Sequence, residues 1–365
     1  MTTVGAVEGI ASEVSPVAVH RRRRTVIAFA AVTVLLVLVL GAALVVGSET
    51  VPVRDVLRWL TGSLPADEPS RGLIEQFHLP RALTGVLAGA GLAVVGLVMQ
   101  TLFANPLADP YILGVSSGAG LGVAVSVLGT GNAAVAFVST FGVFGRWGTT
   151  AAAMTGALVV MGVVLLAGRW ISSVVSLLVV GVMIGAAVGA AVSLLLAFAD
   201  PVRLQKYVLW SLGSLDGTYL GDLVVLGPVV GIGVVLAVLV SPSLNALVLG
   251  ERYARTMGVR VRGVRVVAIV ATSVVCGGVT AFCGPIAFLG LAVPQLARML
   301  LRQADHRIMV PFCALLGAAV CVLCGIVAAL PGTAGTIPLN VVTAVLGAPV
   351  VIALLIRNRT LGAGG

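Results

Sequence analysis

Ten stretches of this chain are apolar over most or all of the length needed to cross a bilayer, and almost none carries a charge in its interior. In hydrocarbon every backbone N–H and C=O must find its partner within the protein, so only helix bundles and closed barrels span a membrane. A barrel would read as short alternating segments, and this sequence has none. The expected fold is therefore all-α and polytopic, with about ten transmembrane helices. The expected spans are 25–47, 82–103, 112–130, 149–168, 174–198, 221–242, 264–282, 287–301, 309–330 and 340–357. Those at 112–130 and 287–301 are short against the ~20 residues of a full crossing. The apolar stretch 132–145 reads as a re-entrant or interfacial piece. Only 10% of residues are charged, against about 25% in a soluble domain. Residues 1–24 read as a cytoplasmic tail, 25–357 as one transmembrane domain and 358–365 as a second cytoplasmic tail.

The net charge of +9 points to topology rather than to nucleic acid. Its cations stand at the ends of apolar segments, with no basic patch interleaved with aromatics. The run His20-Arg21-Arg22-Arg23-Arg24 precedes an apolar stretch too long for a signal-peptide core of about 7–15 residues. With the N-terminus inside, the inner segments hold 15 Arg and Lys and the outer ones 7, while acids run 5 inside and 8 outside. The positive-inside rule thus places both termini in the cytoplasm of a multi-pass cell-membrane protein.

Enzymatic and nucleotide chemistry is missing. There is no G-x-x-x-x-G-K-[ST] loop and no H-E-x-x-H, and the three histidines, His20, His78 and His306, are far apart in sequence. The glycine run in "NPLADPYILGVSSGAGLG" (105–122) follows no strand and matches no phosphate-binding fingerprint. Cys321 and Cys324 form a C-x-x-C but, like Cys276, Cys283 and Cys313, belong to apolar segments and read as small packing residues. No metal site is expected. The near absence of ionisable groups at mid-membrane disfavours proton coupling, so energy for active transport would come from another subunit.

What remains is a set of structural signals. Asn105-Pro106 and Asp109-Pro110 end one span and form a cytoplasmic turn, because a residue before proline is pushed out of the helical region. Gly114, Gly118 and Gly122 then recur one turn apart, as do Gly181, Gly185 and Gly189, Gly85 and Gly89, and Gly227 and Gly231. Such spacing lets helices approach closely in lipid. "LGERYARTMGVRVRGVR" (249–265) is the longest charged inner segment. Gly250 to Met257 predicts two helical turns, with Glu251 and Arg255 paired at i,i+4 and Gly258 ending the helix.

Several stretches together resemble the FecCD family, the permease subunits of binding-protein-dependent ABC importers. They are "LPRALTGVLAGAGLAVVGLVMQTLFANPLADPYILGVSSGAGLG", "LGERYARTMGV", "GPIAFLGLAVPQLAR", "DHR" and "VVTAVLGAPVVIALLIR", in family order. The resemblance implies the type II importer fold and no catalysis or cofactor in this chain, with ATP and Mg on a separate ATPase. It makes Gly250, Glu251, Arg252, Arg255 and Gly258 candidate ATPase-coupling residues. Asn105 and Leu107 become candidate cytoplasmic gate residues, faced by Val174 and Val175 from the partner half. His78 and Arg81 become candidate docking residues for an extracytoplasmic binding protein.

The sequence departs from the family pattern at several points. A basic residue before Leu-Pro-Arg is His78, an arginine near the end of the ninth span is Ala329, and a Glu before Leu-Pro gives way to Thr336-Ile337-Pro338. The familiar Val-Pro-His reads Val293-Pro294-Gln295. The lost charges favour a heterodimer with a second permease subunit, served by two copies of an ATPase or a heteromeric pair. An iron-siderophore-like chelate is the expected cargo, with haem or cobalamin as the alternatives. An autonomous channel or secondary transporter, and an intramembrane enzyme, are the rival classes.

Overall fold

In the computed structural model, residues 16–47, 49–128, 147–171, 173–330 and 337–362 are described, all of them helices and their connections. The stretch 132–145 lies outside them. Among the described residues seven helices are long and apolar enough to cross a membrane, and three shorter apolar helices accompany them. These ten coincide one for one with the ten apolar stretches of the sequence. They are α1 (Pro16–Val45), α4 (Leu79–Leu102), α5 (Val115–Leu128), α6 (Trp147–Trp170), α7 (Val174–Ala197), α9 (Leu220–Val248), α11 (Val261–Cys283), α12 (Leu289–Leu301), α13 (His306–Ala328) and α14 (Leu339–Gly362).

The sequence reading missed three short elements at one end of the bundle, α2 (Val53–Leu60), α3 (Pro69–Leu73) and α8 (Pro201–Ser211). The remaining helix, α10 (Glu251–Thr256), lies at the opposite end. α3 runs through a π turn at Ile74–His78 straight into α4. Such a turn inserts an extra residue into a helix without ending it.

Burial ranks the helices. In α4, 78% of the apolar window is enclosed, against 17% for α1 and for α7, which places α4 at the centre and the others at the rim. α4 packs on α13, α9, α11 and α12, while α5 packs on α6 and α7, and α11 joins the two groups through α6. The glycines permit these crossings. A β-carbon on Gly89 would overlap the Gly317 carbonyl, and one on Gly317 would overlap that of Gly89. Gly118 and Gly156 are related in the same way, and Gly122 lies against the Ala152 carbonyl. Gly114, with φ of +76°, opens α5 against the backbone of Gly185. By contrast a β-carbon on Gly189, Gly227 or Gly231 would meet no neighbouring element within 4 Å, so their spacing marks open faces.

Before α12 the chain is irregular from Gly284 to Phe288, inside the bundle. Its backbone is satisfied by side chains. Ala287 N–H donates to Asn340 Oδ1 at 2.9 Å, and Ile286 N–H lies 3.4 Å from the Tyr111 hydroxyl. Non-helical backbone at such depth is tolerated where protein groups replace water.

Candidate functional site

The segment after α9 folds as the charge pattern predicts. Gly250 adopts φ of +106° and Gly258 +81°, conformations that favour glycine, and they bracket the short helix α10. Arg255 Nη2 donates to Glu251 Oε1 at 2.6 Å, the predicted i,i+4 pair, and Arg265 Nη2 approaches the same oxygen at 3.8 Å. Ala254 is fully buried against Ala246 and Val261, so α10 is seated on the ends of α9 and α11. Its outer side exposes Arg252 and Arg255 together with Tyr253, Met257 and Leu249, each of the last three more than half exposed. Those three were not singled out from sequence, where charges drew the attention. Large apolar side chains left in water beside cations on a rigid knob fit a surface made to be covered.

The turn after α4 is tightly determined. Asn105 Oδ1 accepts from Leu107 N–H at 2.9 Å, and Asp109 Oδ1 accepts from Tyr111 N–H at 2.8 Å, capping a short 3₁₀ turn over Pro110–Leu113. Burial pushes the Asp109 carboxyl up from its ordinary range, and the Tyr111 N–H partly offsets this. Leu107 is exposed. At the start of α7, Ser173 Oγ caps by accepting from Ser176 N–H at 3.3 Å, and Val175 is 68% exposed. Val174 is the first residue of α7.

Between the turn and the root of α10 lies a cavity of about 380 Å³, lined among others by Gln100, Asn105, Leu247, Gln295, Arg298 and His306. Its walls are two hydrogen-bonded groups that sequence reading did not assemble. In the first, Gln100 Oε1 accepts from Arg298 Nη1 at 2.6 Å and from Gln295 Nε2 at 3.2 Å, and Gln100 Nε2 donates to the Leu291 carbonyl at 3.1 Å. Gln295 Nε2 also donates to the Pro106 carbonyl at 2.8 Å, which fastens the turn to α12. In the second, Asn245 Nδ2 donates to Asp305 Oδ1 at 2.7 Å, while Asn245 Oδ1 accepts from the His306 N–H at 2.8 Å and from His306 Nδ1 at 2.7 Å. His306 Nε2 in turn lies 2.8 Å from Thr101 Oγ1. Burial tends to raise the Asp305 carboxyl, but hydrogen bonds from Asn245 and the Arg307 N–H leave it below its ordinary range. The end of α9, the start of α13 and the end of α4 are thereby one polar unit.

At the other end, the candidate docking residues His78 and Arg81 are enclosed. His78 is 3% and Arg81 7% exposed. His78 Nδ1 donates to the Ala43 carbonyl at 3.2 Å, and Arg81 Nη2 donates to the carbonyls of Val46 and, at 3.5 Å, Ala43. Arg81 Nη1 reaches Asp216 at 3.5 Å. The physical reason is the end of α1, whose last carbonyls lack helical partners and carry the negative end of the helix dipole. Among the described residues, Arg54, Arg58, Arg203 and Lys206 are exposed cations on this rim.

Among the described residues no group of three His, Cys, Asp or Glu is arranged to hold a metal ion. The five cysteines are buried and unpaired. Residues 34–357 match the FecCD transport family. The vitamin B12 import system permease protein BtuC of Shigella boydii is 35% identical over 331 residues, covering 90% of this chain and 94% of the relative. The corresponding protein of Klebsiella pneumoniae is 34% identical over 333 residues, covering 90% and 93%. Among solved structures, one described as an inward-facing conformation of a metal-chelate type ABC transporter superposes with a TM-score of 0.77 at 28% identity, covering 91% of this chain and 99% of the other. An all-α bundle of this topology, matched to the family over nearly its whole length, identifies the chain as a member of the FecCD transport family, a non-catalytic permease subunit of an ABC importer in the bacterial inner membrane whose ATP is bound by its ATPase partner.

Proposed function

We propose that this permease imports a cobalamin-type corrinoid. The observation that carries the cargo reading is its similarity to vitamin B12 permeases over 90% of the chain. The metal-chelate type transporter of like fold keeps ferric chelates as the alternative to test. In the mechanism we infer, both termini are cytoplasmic and a second permease subunit faces this one across the pathway. The neutral residues at 78, 329 and 336 support a heterodimer.

ATP-driven closure of the ATPase pair moves α10, bracketed by Gly250 and Gly258, through contacts with Glu251, Arg252 and Arg255. The gate turn at Asn105 and Leu107, with Val174 and Val175 opposite from the partner half, opens and closes in response. Cargo binding and nucleotide binding shift the populations of two states by favouring different ones. Docking of the binding protein falls to the rim around His78 and Arg81. With those two side chains enclosed, the exposed Arg54 and Arg58 of α2 are the groups available to meet acids.

Uptake of labelled cyanocobalamin and of a ferric hydroxamate by cells lacking this permease, with and without the gene restored, tests the cargo. Cobalamin uptake is expected to vanish and return with the gene while ferric uptake stays constant. The reverse pattern would sink the corrinoid reading and restore the siderophore one.

A further inference from the structure

Between the first turns of α1 and the turn joining α12 to α13 lies an open cavity of about 440 Å³. Arg21, Arg22, Thr25 and Gln303 give it a polar wall, and Val26 forms its lip. Arg21 and Arg22 are exposed, and among the described residues neither has an acidic partner. Asp305 also borders the cavity, but its Oδ1 accepts from Asn245 Nδ2 and from the Arg307 N–H.

The walls are fixed. Arg24 donates from Nε to the Leu300 carbonyl at 2.8 Å and from Nη2 to that of Met299 at 3.2 Å, and Gln303 Nε2 donates to Thr25 Oγ1 at 3.3 Å. Arg24 therefore ties α1 to α12, while the guanidiniums of Arg21 and Arg22 are left on the cavity wall. Directly beyond the cations the surface turns apolar. Val26 is 61% and Ile27 57% exposed on α1, and Met299 and Leu300 are exposed across the cavity on α12. Paired cations over a polar pocket, followed within one or two turns by uncovered aliphatic side chains, match an amphiphile rather than a free anion.

We propose that this cavity holds the phosphate headgroup of an anionic phospholipid. The guanidiniums of Arg21 and Arg22 take the phosphate oxygens, and the acyl chains run along Val26, Ile27, Met299 and Leu300. Basic pockets between helices at the cytoplasmic membrane surface are suited to such headgroups, where each nearby cation adds to the attraction. The assignment rests on reading residues 21–24 as the membrane-surface end of α1, and it is independent of the cargo.

Native mass spectrometry of the full-length chain in a maltoside detergent tests it, with added phosphatidylglycerol, phosphatidylcholine or glycerol phosphate as probes. Phosphatidylglycerol is expected to be retained over phosphatidylcholine, and Arg21→Gln/Arg22→Gln to weaken its retention by roughly tenfold or more. Arg21→Lys/Arg22→Lys, which keeps the charge, is expected to retain most of the binding and controls for folding. Arg54→Gln/Arg58→Gln at the opposite end is expected to leave retention of phosphatidylglycerol unchanged. Equal retention of the two lipids, or of phosphatidylglycerol by wild type and the glutamine variant, would overturn the proposal. Displacement of the lipid by an equal concentration of glycerol phosphate would overturn it too, assigning the cavity to a soluble phosphate. Because the readout involves no transport, neither result bears on the corrinoid reading.

Discussion

At position 295 a glutamine replaces the histidine usual in the family, and its contacts show what the position requires. Gln295 Nε2 donates to the Pro106 carbonyl of the 105–109 turn and to Gln100 Oε1, so the requirement is an N–H donor of medium length, which imidazole also supplies. Gln295→Leu removes the donor and is expected to loosen the turn by about 1 kcal/mol, roughly a fivefold change in its occupancy. In proteoliposomes holding the whole importer, cargo moved per ATP hydrolysed is expected to fall several-fold, while Gln295→His stays close to wild type. Equal behaviour of the two variants would remove the hydrogen bond from the account. Arg81 carries a second residue-scale expectation. Its cation caps the end of α1 from a site only 8% exposed, whereas Asp216 is 40% exposed. Arg81→Met is thus expected to lower stability by about 2 kcal/mol, as for hydrogen bonds to a charged group, and Asp216→Asn by less than about 1 kcal/mol. Unfolding midpoints in mixed micelles compare them. Neither role was legible in the sequence. A cation at a segment end looks alike whether it faces water or caps another helix 35 residues away, and only the fold brings Ala43 and Val46 to Arg81.

Elements of this molecule were legible in proportion to how far lipid dictates them. A span must be apolar for most of its length, so all ten appear in the sequence. The helices α2, α3 and α8 are short, mixed in charge and sustained by neighbours, and nothing in their local pattern separates them from loops. Repeated glycines were legible as a motif but not as a contact. The same four-residue spacing marks the α4–α13 crossing at Gly89 and an open face at Gly227 and Gly231. Substitution separates the two cases. Gly317→Ala and Gly89→Ala each drive a methyl into the opposing backbone and are expected to cost about 1–3 kcal/mol, as overpacking does. Gly227→Ala meets nothing within 4 Å and is expected to be neutral or stabilising by up to about 1 kcal/mol through helix propensity. Thermal aggregation midpoints of the detergent-solubilised variants decide it. Equal losses at both sites would mean that residue 227 is covered in the folded protein.

On the scale of the whole molecule, the mechanism proposed above requires α10 and the turn at residues 105–109 to move together, although the two are separate elements. The polar unit of Asn245, Asp305, His306 and Thr101 supplies the join. It fastens the end of α9, a few residues before α10, to the starts and ends of the central helices that carry the turn. An isolated apolar contact would slide, whereas buried hydrogen bonds resist because breaking them leaves unpaired groups. Docking and transmission should therefore be separable. Tyr253→Asp places a charge on the exposed face of α10 and is expected to abolish copurification of the ATPase subunit. Asn245→Leu leaves that face intact and strips the His306 N–H and the Asp305 carboxylate of a partner. The ATPase is then expected to copurify normally, while stimulation of hydrolysis by loaded binding protein falls roughly tenfold, the scale of one or two lost hydrogen bonds to buried groups. If Asn245→Leu also released the ATPase, the unit would be a support for α10 rather than a link. If it left stimulation intact, force would have to travel through the apolar contacts of Leu247 and Met309 around the same cavity. Retained copurification with reduced stimulation is favoured by the seat of α10 itself, which rests on Ala254, Ala246 and Val261 and needs none of the four polar residues to hold its shape.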